Sequence, residues 1–171
     1  FFCQAEWRGD GVSLPCIGKD GNRDGFVLIQ DKPRLEDGST DDEPGLVTNP
    51  PAASDGVITG TFPEFTVHNG DHFMAVLGCE YDATACNVTF ELNYTIDEGP
   101  IQNYTRWVAT YDKKFAVVDT DLYQLRGKTV RFVLTVRSNG PTDGNRAQWL
   151  KPRIKYVQPT ATPVPSLTPT P

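Results

Sequence analysis

The sequence predicts an all-β fold, an antiparallel β-sandwich of the jelly-roll kind, and three observations lead to it. Residues 128–136 place apolar side chains on one face and polar ones on the other, as a strand does that covers a core on one side. Runs with strand character recur about 8 to 12 residues apart, without one convincing amphipathic helix. Asn69-Gly70 lies between two such runs, and this dipeptide is a strong hairpin signal.

The regular part of the chain can be read strand by strand. Gly127 precedes the strand of residues 129–136, and Asn139-Gly140 ends it. Residues 86–96 alternate just as strictly, so their apolar members are expected to face inward. The predicted strands are 57–67, 72–78, 86–96, 104–111, 115–120, 129–136 and 147–157.

Three segments of different character divide the chain. Residues 1–56 carry Gly and Asp at short intervals and are expected to form an irregular arm, with one buried apolar run at 26–29. Residues 57–157 are expected to form the sandwich domain. Residues 158–171 are rich in Pro and Thr and are expected to be extended.

Length and charge restrict the function. The 171 residues suffice for one domain with a real core. A net charge of −6 without any Lys/Arg run argues against nucleic acid or an anionic membrane as partner. No apolar run approaches the roughly 20 residues that span a bilayer. The first residues lack the features of a signal peptide, so a secreted protein would be in its mature form.

The four cysteines are expected to form disulfides. They show no Cys-x-x-Cys spacing, and three pairings are open to them. Cys3–Cys16 with Cys79–Cys86 is favoured, because each bond closes a short loop rich in turn residues; free buried thiols in a cytosolic protein are the alternative. The Thr/Asn-rich composition, the single Met and the Pro/Thr tail favour an extracellular or cell-surface location.

The Pro/Thr tail suggests either a flexible stalk or a connector held by a neighbouring subunit. Outside the cell its hydroxyl groups are candidates for O-linked sugars. These residues are Thr160, Thr162, Ser166, Thr168 and Thr170.

Several spaced residues together resemble a known family. They are Phe73-x-Ala75-x-x-Gly78, Val88-x-Phe90, Asp119-x-Asp121-Leu122, Leu125-x-Gly127-Lys128, Val130-x-Phe132-x-Leu134, Asp143 and Trp149-x-x-Pro152-Arg153. The pattern is similar to the galactose-binding-like jelly rolls, and among them to the NPCBM-type modules attached to bacterial glycosidases and surface proteins. It covers roughly residues 57–157. The resemblance implies a non-catalytic extracellular module that is either sugar-binding or structural.

The first third contains a candidate calcium loop. Counted as twelve residues from Asp20, it places oxygen-bearing groups at the positions from which a hard cation is ligated, with Gly25 at the sixth position for the sharp turn. The candidate ligands are Asp20, Asn22, Asp24, the Phe26 carbonyl and Asp31. Asp31 departs from the usual Glu, and a plain Asp/Gly turn is the alternative.

Three Asn-x-Thr sequons begin at Asn87, Asn93 and Asn103 and are candidates for N-glycosylation. Alternation places Asn87 and Asn93 on the same outward face of one strand. Chance sequons in a Thr-rich β protein are the alternative.

Motifs for catalysis are weak. His68-Asn-Gly-Asp-His72 could hold a transition metal but is equally a polar hairpin turn. Three carboxylate pairs could in principle serve a glycosidase, but such pairs are usually solvated: Glu80/Asp82, Asp97/Glu98 and Asp119/Asp121. Since no nucleophile or phosphate-loop motif is present, the protein is not expected to be an enzyme.

Three aromatic residues could form a platform for a sugar ring, because pyranose C–H faces stack on flat π surfaces. They are Trp107, Tyr111 and Trp149. The alternative for each is a place in the core. Trp149 is expected to lie in the core, and Trp107 is the better candidate for an exposed position.

Two functions remain open. The first, which the sequence favours, is a glycosylated structural subunit of a bacterial surface fibre or layer. Copies of the chain would assemble through the N-terminal arm or the tail, which an edge strand can accept. The second is a carbohydrate-binding module displayed on a Pro/Thr stalk.

Overall fold

The computed structural model describes residues 2–140 and 144–158, and in them the chain forms two antiparallel sheets packed face to face. The strands are β1 (Glu6–Gly9), β2 (Val12–Leu14), β3 (Phe26–Gln30), β4 (Gly45–Asn49), β5 (Val57–Thr66), β6 (Asp71–Cys79), β7 (Asn87–Thr95), β8 (Gln102–Thr110), β9 (Ala116–Asp121), β10 (Thr129–Ser138) and β11 (Ala147–Tyr156). Short 3₁₀ turns lie at Phe2–Gln4 and Tyr123–Leu125. The predicted all-β sandwich is confirmed.

The six-stranded sheet has the order β2-β1-β5-β10-β7-β8, and the five-stranded sheet has the order β3-β4-β11-β6-β9. The strand that alternates most clearly in the sequence, β10, lies in the middle of the larger sheet between β5 and β7. Its inward side chains Val130, Phe132, Leu134 and Val136 are buried against the other sheet. A regular alternation therefore marks a central strand that covers the core on one face.

The N-terminal segment is not an irregular arm, which corrects the expected division at residue 56. β1 pairs with β5, with Trp7 opposite Gly60, and β4 pairs with β11. Trp7 is buried on Gly60, where a Cβ atom would lie 2.6 Å from the indole ring. The four strands before residue 56 are only three to five residues long, so too few alternating positions exist for their periodicity to be read.

Large aromatic side chains fill the space between the sheets. Trp149 is 0% exposed and meets Phe90 edge to face, with ring centroids 4.8 Å apart. Phe73 stacks on Trp107 at 6.2 Å near the edge formed by β8. Such pairs add to the apolar burial that stabilises the sandwich.

Both predicted disulfides, Cys3–Cys16 and Cys79–Cys86, are formed. Cys79–Cys86 closes the turn between β6 and β7 at one end of the sandwich. Within the residues described, no helix has the length and apolar character needed to cross a membrane. Asp143 of the family-like pattern and the tail from residue 159 onward, with its five candidate O-glycosylation residues, lie outside the described residues.

Candidate functional site

Three loops meet at the end of the sandwich where β6 and β8 finish and β7 begins. They are residues 31–44, 80–86 and 111–115. Loop 31–44 lies on the outer face of the five-stranded sheet, where Arg34 O accepts a hydrogen bond from Gln148 Nε2 at 3.2 Å. Between the loops is a cleft of about 330 Å³, called here the tyrosine cleft. Its lining residues are Arg34, Glu36, Asp37, Gly38, Tyr81, Asp82, Tyr111 and Lys113.

Glu36 joins the three loops at the base of the cleft. Its side chain is buried, and Oε2 accepts the Cys79 N–H at 2.8 Å. Oε1 accepts the N–H groups of Asp112 at 2.5 Å and Lys113 at 2.9 Å. A carboxylate with several charge-assisted bonds to backbone N–H groups is held firmly, so the walls of the cleft are fixed relative to one another.

The loop that carries Tyr81 is constrained at both ends. The Cys79–Cys86 disulfide closes it, and Ala83 N donates to Glu80 O at 3.1 Å within it. Tyr111 N donates to Cys86 O at 3.1 Å, which ties the third loop to the same disulfide. The two tyrosines are therefore presented from backbone that is covalently and hydrogen-bond restrained.

The first loop supplies charge beside Tyr81. The Arg34 guanidinium carbon lies 3.5 Å from the Tyr81 ring centroid, and Nε donates to Gly38 O at 3.2 Å. Gly38 has φ +90°, and a Cβ atom there would come within 3.4 Å of the Tyr81 ring, so only glycine suits this position. Asp37 accepts hydrogen bonds from the Ser39 hydroxyl and N–H, which lower the pKa of its carboxyl group.

The tyrosine cleft thus combines two half-buried phenol rings with cationic, carboxylate and backbone groups. Flat apolar faces beside hydrogen-bonding groups suit a ligand that carries both C–H faces and hydroxyl groups. Exposed charges of both signs line it, Arg34 and Lys113 against Asp37 and Asp82, so the cleft has no preference for a strongly anionic ligand.

The three aromatic residues proposed from the sequence do not form one platform. Tyr111 lines the tyrosine cleft, whereas Trp107 points inward from β8 onto Phe73. Trp149 is fully buried and cannot contact a ligand in this fold. Sequence reasoning missed Tyr81 and Arg34; the disulfide-closed loop Cys79–Cys86 was the one signal that could have pointed to Tyr81.

The candidate calcium ligands are not brought together. Phe26 begins β3, which pairs along its length with β4, so the chain runs straight and Asp31 follows about 16 Å further on. Asp20 Oδ1 instead accepts Arg146 Nη1 at 2.5 Å. In 2–140 and 144–158, no group of three or more His, Cys, Asp or Glu side chains could hold a metal. Calcium binding remains a sequence prediction that this arrangement does not support.

The expected outward position of Asn93 is occupied by a closed polar network. Asn93 is 3% exposed, and its Nδ2 donates to Glu91 Oε2 at 2.8 Å and to Thr135 Oγ1 at 3.0 Å. Its Oδ1 accepts from Asn103 Nδ2 at 2.8 Å. Asn87 is half-buried and Asn103 is exposed on the edge strand β8. Of the three sequons, Asn93 is therefore the least able to carry a sugar.

We expect peptide mass spectrometry of protein from a glycosylating host to find Asn93 unmodified, because a glycan would replace one of the two Nδ2 hydrogens that the network uses and could not fit the buried site. Any occupied sequon should be Asn87 or Asn103. An Asn103→Gln variant, which retains a side-chain amide at the partner position, serves as the matched control. Detection of a glycan on Asn93 in folded protein would contradict this network.

The remaining polar pairs are separate contacts rather than one cluster. His72 Nδ1 lies 2.6 Å from Asp119 Oδ1, whereas His68 lies 3.5 Å from Asp71. Glu80 is engaged by Arg146 and by Gln30. Asp121 Oδ1 accepts the Tyr123 N–H at 2.9 Å. These contacts indicate structural roles for the His and Asp residues considered from the sequence.

Comparison with solved structures identifies the fold. One similar structure comes from work on the promiscuous specificity of carbohydrate-binding modules from the β-sandwich superfamily. It matches with a TM-score of 0.52 and a sequence identity of 9%, and the match covers 92% of this chain and 58% of that chain. A family 61 carbohydrate-binding module in complex with β-1,4-galactotriose matches with a TM-score of 0.49 and a sequence identity of 8%, and the match covers 88% of each chain. A family 51 carbohydrate-binding module from Clostridium perfringens in complex with methyl-galactose matches with a TM-score of 0.47 and a sequence identity of 15%. The match covers 74% of this chain and 87% of that chain.

At sequence identities of 8%, 15% and 9%, the similarity to these structures concerns the fold alone. The chain has the β-sandwich fold of carbohydrate-binding modules, which confirms the resemblance to galactose-binding-like jelly rolls at that level. No protein-family model matches the sequence, and a search of curated proteins also finds no match. The ligand must therefore be argued from the chain's own residues.

Proposed function

We propose that this protein is a non-catalytic extracellular carbohydrate-binding module and that the tyrosine cleft receives the sugar. The observation that carries the proposal is the cleft itself, in which Tyr81 and Tyr111 are held by Glu36 and by the Cys79–Cys86 disulfide before any ligand arrives. Preorganised walls reduce the entropy that binding would otherwise cost.

The size and charge of the cleft indicate the class of sugar. A volume of about 330 Å³ lies at the low end of the range for small-ligand sites, which suits a single sugar residue or the end of a glycan chain. Because positive and negative side chains are mixed around it, a neutral sugar fits better than a polyanionic one.

Two of the three carboxylates that line the cleft, Glu36 and Asp37, are poorly suited to hydrolysis. A glycosidase needs a protonated acid, usually with a raised pKa, and a second carboxylate across the substrate. Glu36 directs both oxygens to backbone N–H groups, and the pKa of Asp37 is lowered by its bonds from Ser39. Neither group is suited to donate a proton to a leaving sugar.

The alternative of a self-assembling fibre or surface-layer subunit gains no support from the described contacts. The N-terminal strands complete the chain's own two sheets and so are not free to dock on a neighbouring copy. The chain also leaves β11 at Tyr156, opposite Asp71 at the start of β6, whereas the cleft lies beyond Cys79 at its end. The cleft therefore lies at the opposite end of the five-stranded sheet from the last residue of β11, which suits a module attached through its C-terminal segment.

The proposal is tested by a screen on a glycan array followed by calorimetric titration of the strongest neutral ligand. We expect Tyr81→Ala and Tyr111→Ala each to weaken binding about tenfold or more, because each removes a stacking face worth about 1 kcal/mol beyond its contact area. Tyr123→Ala is the matched control, since Tyr123 is exposed on the turn after β9. Absence of any glycan ligand, or equal affinity of all three variants, would overturn the proposal.

A further inference from the structure

An apolar groove lies near the opposite end of the sandwich from the tyrosine cleft and is not used by the proposed function. Its volume is about 180 Å³. The side chains that give it its apolar character are Phe62, Phe65, Phe73, Phe132, Pro152 and Ile154. Phe62, Phe65 and Ile154 are only half-buried, so part of an aromatic surface is left open to solvent.

Irregularities in both sheets open the groove. The pairing of β10 with β5 shifts register between Arg131 and Val133, and the pairing of β11 with β6 shifts between Leu150 and Arg153. Pro63 and Pro152 stand in the strands at the same places and cannot donate to a ladder. Such irregularities bend a strand locally, and both of them lie beside the groove.

Within residues 2–140 and 144–158, β5 and β11 each lose one of their two partner strands beside the groove. β1 stops pairing with β5 at Glu6 and Thr61, although β5 continues to Thr66. β4 stops pairing with β11 at Gly45 and Leu150, although β11 continues to Tyr156. Beyond these points each strand has a described strand partner on one side only. An extended segment can approach such edges.

A Pro-rich segment of the chain follows β11, the strand that contributes Ile154 to this groove. β11 ends at Tyr156, two residues after Ile154 of the groove, and thirteen residues follow Gln158. Pro-Val-Pro-Ser-Leu at 163–167 contains Val164 and Leu167, the two large aliphatic residues of the tail. Polyproline segments bind in aromatic-lined grooves because little conformational entropy is lost on binding.

The distances permit the tail to return to the groove. From Gln158 back to Ile154 is about 13 Å along a strand, and residues 159–163 would span about 15 Å at about 3.1 Å each in an extended polyproline conformation. We propose that residues 163–167 of the same chain occupy the groove, with the proline and leucine side chains against Phe62, Phe65 and Phe132.

The test compares amide NMR spectra of the full chain with those of a chain truncated after Gln158, which retains every described strand. We expect truncation to shift the amide resonances of residues 62–66 and 153–156. In the full chain, residues 163–167 should show order parameters well above those of a free tail. Val164→Ser with Leu167→Ser should reproduce the spectrum of the truncated chain at the groove, and Thr168→Ser with Thr170→Ser is the control that should leave it unchanged.

Dilution distinguishes the chain's own tail from that of a second copy. Shifts independent of concentration, with a monomer by sedimentation, support the proposal. Shifts lost on dilution would assign the groove to a neighbouring copy and overturn it. Random-coil behaviour of residues 163–167 together with an unchanged groove on truncation would also overturn it. Because the decisive variants lie in the tail, none of these outcomes depends on a groove variant folding.

Discussion

Trp149→Ala is expected to lower the free energy of unfolding by about 3–5 kcal/mol, as replacement of a large buried aromatic by alanine commonly does. Trp149 is 0% exposed, packs edge to face on Phe90, and lies between Leu46 and Leu77 on the neighbouring strands. Since a domain of this size has only about 5–15 kcal/mol to lose, urea denaturation should show a clearly lower midpoint.

Trp107→Ala is the matched control for the loss of a tryptophan. Trp107 is only half-buried, on the edge strand β8, so we expect a smaller destabilisation. Neither variant removes a group that lines the tyrosine cleft, and both should bind sugar normally at temperatures where they remain folded. Selective loss of sugar binding by folded Trp149→Ala protein would contradict the position assigned to this side chain.

Glu36→Ala is expected to lower stability by about 3 kcal/mol or more and to abolish sugar binding. The substitution leaves the N–H groups of Cys79, Asp112 and Lys113 without their acceptor, and an unsatisfied buried donor costs about 1–3 kcal/mol. Because these three groups join the walls of the tyrosine cleft, their release should also separate Tyr81 from Tyr111. Thermal melting and calorimetric titration measure the two effects.

Two controls separate the role of Glu36 from a general effect of charge. Glu36→Gln keeps one carbonyl oxygen in place and should retain part of both stability and affinity. Asp37→Asn changes the charge of the neighbouring exposed side chain and should leave the melting temperature nearly unchanged. Wild-type affinity in folded Glu36→Ala protein would show that the loops hold the cleft without this carboxylate.

The long, regular strands could be predicted from the sequence, whereas the short ones could not. β7 and β10 were readable because apolar residues recur at every second position along nine or ten residues, although several residues of the outward face are buried as well. None of β1 to β4 was predicted as part of the sandwich, and only the run at β3 was noted as a buried apolar segment. Each is short, and its partner lies far away in the sequence, as Trp7 opposite Gly60 shows. The alternation also placed Asn93 outward without revealing that Glu91, Thr135 and Asn103 would enclose it.

The candidate site was less predictable than the fold. Tyr111 was named from the sequence, but its partners Arg34 and Tyr81 lie on loops that have no local pattern. The candidate calcium loop shows the opposite case, since the spacing of its residues in the sequence fits a twelve-residue calcium-binding loop. The pairing of β3 with β4 straightens the segment that would have to wrap around the ion.

By itself the sequence determined the all-β class, favoured the disulfide pairing that the structure shows, and set the Pro/Thr-rich C-terminal segment apart by its composition. Each of these depends on local periodicity, on short loops or on composition. Only the tertiary structure decided that the first strands belong to the sandwich, that Trp149 is core and that three distant loops share one buried carboxylate. The physical reason is that strand pairing and loop convergence are contacts between residues far apart in the chain, and a local pattern cannot specify which distant partner a group will meet.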